Sequence, residues 1–148
     1  MINAATRSVD GTRAVAAEIA RLAEPGDLIV LAGDLGTGKT AFAQGFARGL
    51  EVEEPVTSPA FVLVRTYEGR LPLVHLDVYR LDHIQELVDL GISELLDEGA
   101  VTLVEWGDAV TPGLPADFLE VRLEATDLPD DRLLTIRSVG PAWPSPVT

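Results

Sequence analysis

The sequence contains no cysteine, which excludes disulfides and metal sites built on thiolates. It has no apolar run close to the roughly 20 residues that a membrane-spanning helix needs. Its first residues, MINAATRSVD, lack the apolar core of a signal peptide. These absences predict a cytoplasmic protein without a membrane partner.

Basic residues are scarce, with 11 against 24 acidic residues and a net charge of −13. Nucleic-acid backbones attract positive charge, so we do not expect this chain to bind nucleic acid on its own. The acid excess is typical of a solvated surface, and it would also suit a basic protein partner. Only one of the 11 basic residues is a lysine, Lys39.

Six apolar runs bounded by turn residues predict strands: Asp27–Ala32, Phe61–Tyr67, Leu71–Asp77, Ala100–Glu105, Phe118–Ala125 and Leu133–Val139. Glu68-Gly69-Arg70 predicts a hairpin between the second and third strands, and the last two strands are expected to pair antiparallel.

Three segments predict helices. In the first, Val15, Ile19 and Leu22 recur at helical spacing, and Asp10 is placed to cap the helix. The others are Lys39–Leu50, with two phenylalanines four residues apart, and Ile84–Asp97.

A glycine-rich segment lies between the first predicted strand and the helix from Lys39. It fits the pattern G-x-x-x-x-G-K-[ST] in full, with Gly33, Asp34, Leu35, Gly36, Thr37, Gly38, Lys39 and Thr40. Glycines let the backbone curl so that successive N–H groups point at phosphate oxygens, and the following helix adds the positive end of its dipole. Lys39 is expected to reach the β- and γ-phosphates, and the Thr40 hydroxyl to bind Mg²⁺.

The strand–loop–helix order around this motif predicts an α/β fold. We expect a single P-loop NTPase-like domain over residues 1–140, with a mixed, mostly central β-sheet flanked by helices. Residues 141–148 form a proline-rich segment that predicts a flexible tail.

Two acids stand where a P-loop site needs a carboxylate for Mg²⁺ or water, at the ends of apolar strands. Asp77 ends LPLVHLD, and Glu105 ends AVTLVE. Strands of one sheet would bring both carboxylates to the edge above the phosphate loop. The sequence leaves open which acid contacts Mg²⁺ and which orients the attacking water. His75, within the same strand as Asp77, is expected to be a core histidine.

Two further segments could face the nucleotide. Thr57-Ser58-Pro59 offers hydroxyls that could sense the γ-phosphate, although the spacing alone favours an ordinary Ser-Pro turn. Tyr79 and Arg80 follow Asp77 directly, where the arginine could approach phosphate or a partner, or form a surface ion pair.

Together these motifs resemble the TsaE family (also called YjeE), the ATPase of bacterial tRNA threonylcarbamoyladenosine synthesis. The resemblance rests on Gly11-Thr12, GDLGTGKT, TSPAF, HLDVYRL, ELVDLGISELL and VEWGD, in this order. The chain departs from the usual family pattern at Ala41, Ala60 and Gly107.

The resemblance implies a weak ATPase that uses ATP and Mg²⁺. It implies binding to a TsaB-type and a TsaD-type protein, the pair that modifies the adenosine beside the tRNA anticodon, with tRNA contacted only through that pair. Lys39, Asp77 and Glu105 would be catalytic, with Thr40 and the two acids at the metal. The nucleotide would be held by the phosphate loop together with Thr12, Ala41, Thr57, Arg80 and Trp106.

Two other functions remain open. A small-molecule kinase usually has an arginine-bearing lid, but past Glu105 the only arginines are Arg122, Arg132 and Arg137, all on or beside predicted strands. A non-hydrolysing nucleotide-binding scaffold would not need both acids. The guanine-reading N-K-x-D motif requires a lysine other than Lys39, so adenine is the expected base.

Overall fold

The structure is a computed structural model that describes residues 2–33, 38–56, 64–77, 98–106, 118–128 and 131–139. Within these residues, nine elements follow in the order β1 (Ile2–Thr6), α1 (Val9–Arg21), β2 (Leu28–Ala32), α2 (Lys39–Gly49), β3 (Val64–Tyr67), β4 (Leu73–Asp77), β5 (Val101–Trp106), β6 (Phe118–Ala125) and β7 (Arg132–Val139).

The seven strands of the described residues form one mixed sheet in the order β1-β7-β6-β2-β5-β4-β3. Its centre is parallel, because β2 pairs parallel with both β5 and β6, and β5 pairs parallel with β4. Antiparallel pairs, β3 with β4, β6 with β7 and β7 with β1, complete the two sides. The predicted mixed central sheet is confirmed.

Strand β2 lies at the middle of this sheet. All five of its residues are buried, as expected of a continuous apolar run covered on both faces. The carboxyl ends of β2, β4, β5 and β6 meet at one edge of the sheet because these strands are parallel. This edge carries the start of the phosphate loop.

Helices α1 and α2 pack against each other with very close backbones. A side chain at Gly45 of α2 would overlap the carbonyl of Arg13 in α1, and one at Gly49 would overlap the carbonyl of Ala17. Phe42 and Phe46, four residues apart in α2, are fully buried with ring centroids 6.4 Å apart. The predicted pairing of these two rings on one helix face is confirmed.

This close approach gives a stability prediction. Gly45→Ala should lower the melting temperature by roughly 10 °C, because the added methyl forces the helices apart at a cost of about 3 kcal/mol. Gly11→Ala is the matched control, since the nearest atom to a Cβ there is the side-chain Ser8 Oγ at 3.3 Å. Thermal unfolding followed by circular dichroism checks both, and equal melting temperatures would contradict the packing described.

Two expectations for the amino-terminal region are corrected, and one strand there was not predicted. Ser8, not Asp10, caps α1, and its Oγ accepts a hydrogen bond from Gly11 N at 2.9 Å; Asp10 instead pairs with Arg13 at 2.9 Å. Leu22 lies beyond the end of α1 and is 70% exposed. Strand β1, which the sequence analysis did not predict, pairs with β7.

The other described strands agree with the predicted ones to within a few residues. The hairpin β3–β4 forms as expected, and Arg70 at its turn donates hydrogen bonds to Ala20 O and Ala23 O at 3.0 and 3.2 Å. The predicted helix Ile84–Asp97 and tail 141–148 lie outside the described residues, and the domain bounds stay a prediction. No helix in the described ranges is long and apolar enough to cross a bilayer.

Candidate functional site

The phosphate-loop motif spans the end of β2 and the start of α2. Gly33 follows β2 directly, and Gly38 immediately precedes α2, both with positive φ values of 146° and 99°. These backbone angles favour glycine, which has no Cβ to clash. Asp34, Leu35, Gly36 and Thr37, between them, lie outside the described residues.

The amino terminus of α2 is suited to an anion. Gly38 provides no side-chain cap, and the first turn contains no acidic residue. The first N–H groups of a helix have no partner within the helix and carry the positive end of its dipole. A phosphate at this end of α2 would therefore be stabilised.

Lys39 begins α2 and is only 8% exposed. Its Nζ donates a hydrogen bond to Gly33 O at 2.9 Å, which ties the two ends of the loop together, and it takes part in a further interaction. Thr40 and Ala41 follow in the first turn of α2 and are partly exposed. The positive charge is thus held at the amino terminus of the helix.

The two predicted acids occupy adjacent register positions. Asp77, the last residue of β4, pairs with Glu105 of β5, and Glu105 pairs on its other side with Leu31 of β2. Neighbouring strands lie about 4.8 Å apart, so the backbone of Glu105 lies directly beside the end of the phosphate-loop strand, and that of Asp77 lies one strand further away. Glu105 is buried, at 6% exposed.

His75 contacts Glu105 across the two strands. Its Nε2 lies 2.9 Å from Glu105 Oε2, and the histidine is fully buried. The angles of this approach do not meet hydrogen-bond geometry, so His75 Nδ1 and Nε2 and Glu105 Oε2 have no hydrogen-bond partner among the described residues. The expected core position of His75 is correct, but a polar neighbour was not expected.

Thr12, a predicted nucleotide ligand, is 1% exposed in the first turn of α1. Its Oγ1 lies 2.8 Å from Thr6 Oγ1, a hydrogen bond that joins the end of β1 to α1. Trp106 ends β5 and pairs with Ala32. Thr57, Tyr79 and Arg80 lie outside the described residues, although Gln44 of α2 fixes Val56, just before Thr57, through a 3.3 Å bond to its carbonyl. The roles of these residues stay predictions.

The sequence model of one family, described as threonylcarbamoyl adenosine biosynthesis protein TsaE, matches residues 6–133. The match includes the phosphate loop, both acids and the strands that position them. The chain belongs to the TsaE family.

Relatives of this chain carry the same description. Proteins named tRNA threonylcarbamoyladenosine biosynthesis protein TsaE from Bacillus subtilis and Treponema pallidum are each 40% identical to it. The first match covers 91% of this chain and 84% of the relative, and the second 80% and 87%. The TsaE protein of Streptomyces coelicolor is 37% identical, covering 88% and 93%.

The fold is also that of a solved structure. The crystal structure of YdiB from Bacillus subtilis superposes with a TM-score of 0.79 at 37% identity, covering 94% of this chain and 86% of that one. The α/β fold expected from the sequence is therefore confirmed by a structural neighbour as well as by the strand order.

Sequence reasoning missed two features of the site. His75 stands two residues before Asp77, and residues two apart on a strand share a face, so its approach to the acids was detectable. Arg132 of β7 reaches the phosphate loop: a Cβ built on Gly38 would lie 3.8 Å from its Nε. No local pattern signals this contact, because it depends on how β7 sits in the sheet.

Proposed function

We propose that this TsaE-family chain binds Mg²⁺-ATP, hydrolyses it slowly, and supports threonylcarbamoyl modification of the adenosine beside the tRNA anticodon. In this role it acts through a pair of TsaB-type and TsaD-type proteins. We infer the pathway from the names of the relatives, and the ATPase chemistry from the geometry of the site.

One observation supports the ATPase assignment most directly. The chain's one lysine stands at the amino terminus of α2, which has no side-chain cap, and two acids stand in register on β5, which adjoins β2, and on β4, the next strand out. Phosphoryl-transfer sites need positive groups at the transferred phosphate, and carboxylates for the metal and the attacking water. A scaffold that binds nucleotide without hydrolysing it would need only the positive groups.

The described residues fit both ligands. Positive φ at Gly33 and Gly38 leaves the backbone free to approach phosphate, and Lys39 is already placed by its bond to Gly33 O. Glu105 Oε2 is buried and has no hydrogen-bond partner within the described part of the chain, so a hard cation or a water would satisfy it. Thr40, Asp77 and Glu105 would hold Mg²⁺ and its water, and the metal would neutralise charge on the β- and γ-phosphates.

The charge of the chain supports action through partners. A net charge of −13 opposes direct binding to the tRNA backbone. An acidic chain can still bind a complex whose own surface holds the RNA. In this proposal tRNA is contacted only through the TsaB–TsaD pair.

The test is Mg²⁺-dependent ATP hydrolysis by the purified chain, alone and with a purified TsaB–TsaD pair. We expect slow hydrolysis by the chain alone and a clear rise with the pair. The Lys39→Ala variant, measured alongside, should be inactive in both cases. Threonylcarbamoyl transfer to tRNA over many turnovers should depend on the chain and on ATP.

Other results would redirect the proposal. Hydrolysis that does not respond to the pair would refute the partner assignment while leaving the ATPase intact. Transfer of the γ-phosphate to a small acceptor in place of water would favour the kinase function. ATP binding without any hydrolysis, even with the pair, would favour the scaffold.

His75 is expected to position Glu105. His75→Leu removes the imidazole whose Nε2 lies 2.9 Å from this buried carboxylate, and should lower ATP turnover about tenfold, as loss of groups that orient a metal-site carboxylate does. ATP affinity should change less than twofold. His75→Asn keeps an N–H-bearing side chain at this position and should restore part of the rate. A loss of melting temperature with normal turnover in His75→Leu would make its role purely structural.

A further inference from the structure

Arg132 reaches the phosphate loop from a strand two places away in the sheet. It begins β7 and pairs with Ala125 of β6 and Thr6 of β1. Across the sheet this is about 10 Å from β2 at the usual strand spacing. Its guanidinium nevertheless lies at Gly38, where a Cβ would stand 3.8 Å from Nε and 3.9 Å from Leu123 Cδ2.

The side chain rises from the sheet face that carries α1 and α2. Residues directly opposite in an antiparallel pair share a face, and Thr6, opposite Arg132, bonds to Thr12 of α1. Leu134 lies two residues after Arg132 and therefore on the same face, and Leu123 is its partner on β6. Both leucines belong to the core beneath the helices. The half-buried arginine stem therefore runs along this core towards the start of α2.

Two cations consequently flank Gly38. Lys39 and Arg132 both lie at the positive end of the α2 dipole, where no acidic residue occupies the first turn. Both also take part in further interactions. Positive charge at a helix amino terminus is unfavourable, so an anionic ligand at this position would be attracted by both side chains.

The acids indicate which end of a nucleotide Arg132 would meet. Asp77 and Glu105 lie on β4 and β5, on one side of β2, whereas β6 and β7 lie on the other. A nucleotide whose terminal phosphate faces the acids extends its sugar and base towards β6 and β7. We propose that Arg132 contacts the sugar-and-base end of the bound nucleotide, with its planar guanidinium against the base.

This contact gives the site a means to favour nucleotides over bare polyphosphate. A guanidinium stacks on aromatic faces as well as carrying charge, whereas an ammonium group cannot form the same planar contact. The inference rests on the proposed nucleotide-binding function and adds to it a residue that recognises the part of the ligand beyond the phosphates.

The test compares ADP with inorganic tripolyphosphate, both with Mg²⁺, by isothermal titration calorimetry. Arg132→Met keeps the apolar stem against Leu123 and removes the guanidinium, and Arg132→Lys keeps the charge without the plane. Arg137→Met is the matched control, since Arg137 lies on the same strand but is 55% exposed and paired with Glu120 at 3.0 Å. The melting temperature of each apo variant reports on folding.

We expect Arg132→Met to weaken ADP binding about tenfold and to leave tripolyphosphate within twofold of wild type. Arg132→Lys should recover only part of the loss, and Arg137→Met should bind as wild type does. Equal losses for ADP and tripolyphosphate, or unchanged ADP binding in Arg132→Met, would overturn this inference and leave the proposed function intact. Failure of the wild-type chain to bind ADP would overturn the proposed function and this inference together.

Discussion

Replacing Lys39 with alanine should reduce ATP affinity by at least about 100-fold, because the variant would lose the charged hydrogen-bond donor that we propose for phosphate in a largely buried site. Lys39 is 8% exposed and already held at the loop by its bond to Gly33 O. Little reorganisation is therefore needed when phosphate arrives. No other lysine exists in the chain to replace it. Titration calorimetry with Mg²⁺-ATP measures the loss directly.

The control for this variant is Arg48→Ala, which removes one positive charge from the last turn of the same helix. Arg48 is exposed, so its loss should leave ATP affinity within about twofold, since charges on the surface are screened. If Lys39→Ala bound ATP as wild type does, the assignment of residues 33–40 as a phosphate loop would be wrong. Equal losses in both variants would mean that net charge, not the loop, governs binding.

The parts of the fold that the sequence predicted well are those with strong local patterns. The uninterrupted apolar run of β2 indicated a strand covered on both faces, and the spacing of Phe42 and Phe46 indicated the buried face of α2. Hairpins β3–β4 and β6–β7 were predicted from turn residues between apolar runs. In each case one segment carries the whole signal.

The errors fall where distant parts of the chain decide the structure. Leu22 was expected on the buried face of α1, yet that face is formed largely by small residues such as Ala16 and Ala20, which allow α2 to approach closely. Strand β1 has little strand propensity of its own and forms because β7 offers an edge to pair with. Periodicity of large apolar residues cannot reveal either arrangement.

The candidate site divides in the same way. Lys39, Thr40, Asp77 and Glu105 could be selected from the sequence because a phosphate loop and strand-end acids have recognisable spacing. The pairing of Asp77 with Glu105 depends on the register of β4 against β5, and the approach of Arg132 to Gly38 depends on the position of β7. Register and strand order are tertiary properties, so only the structure supplies them.

The second large effect is expected at the two acids. Glu105→Gln and Asp77→Asn should each reduce ATP turnover at least about 100-fold, because each removes a carboxylate that we propose to serve the metal or the attacking water. Both variants preserve side-chain size, and both leave Lys39 and the helix terminus intact. Nucleotide binding should therefore survive. Single-turnover hydrolysis together with ATP titration separates the two properties.

Dependence on Mg²⁺ then assigns the roles. If one variant regains turnover as Mg²⁺ concentration rises, its acid is the metal ligand, because a weakened site fills at higher concentration. The variant of the other acid should remain inactive at saturating Mg²⁺ while binding ATP with normal affinity, as expected when the lost group orients water. Glu120→Gln is the control and should turn over normally, because Glu120 lies on β6, on the far side of β2 from the acids, and pairs with Arg137. Wild-type turnover in either acid variant would remove that residue from the site, and the register pair Asp77–Glu105 would then be no more than adjacent strand ends.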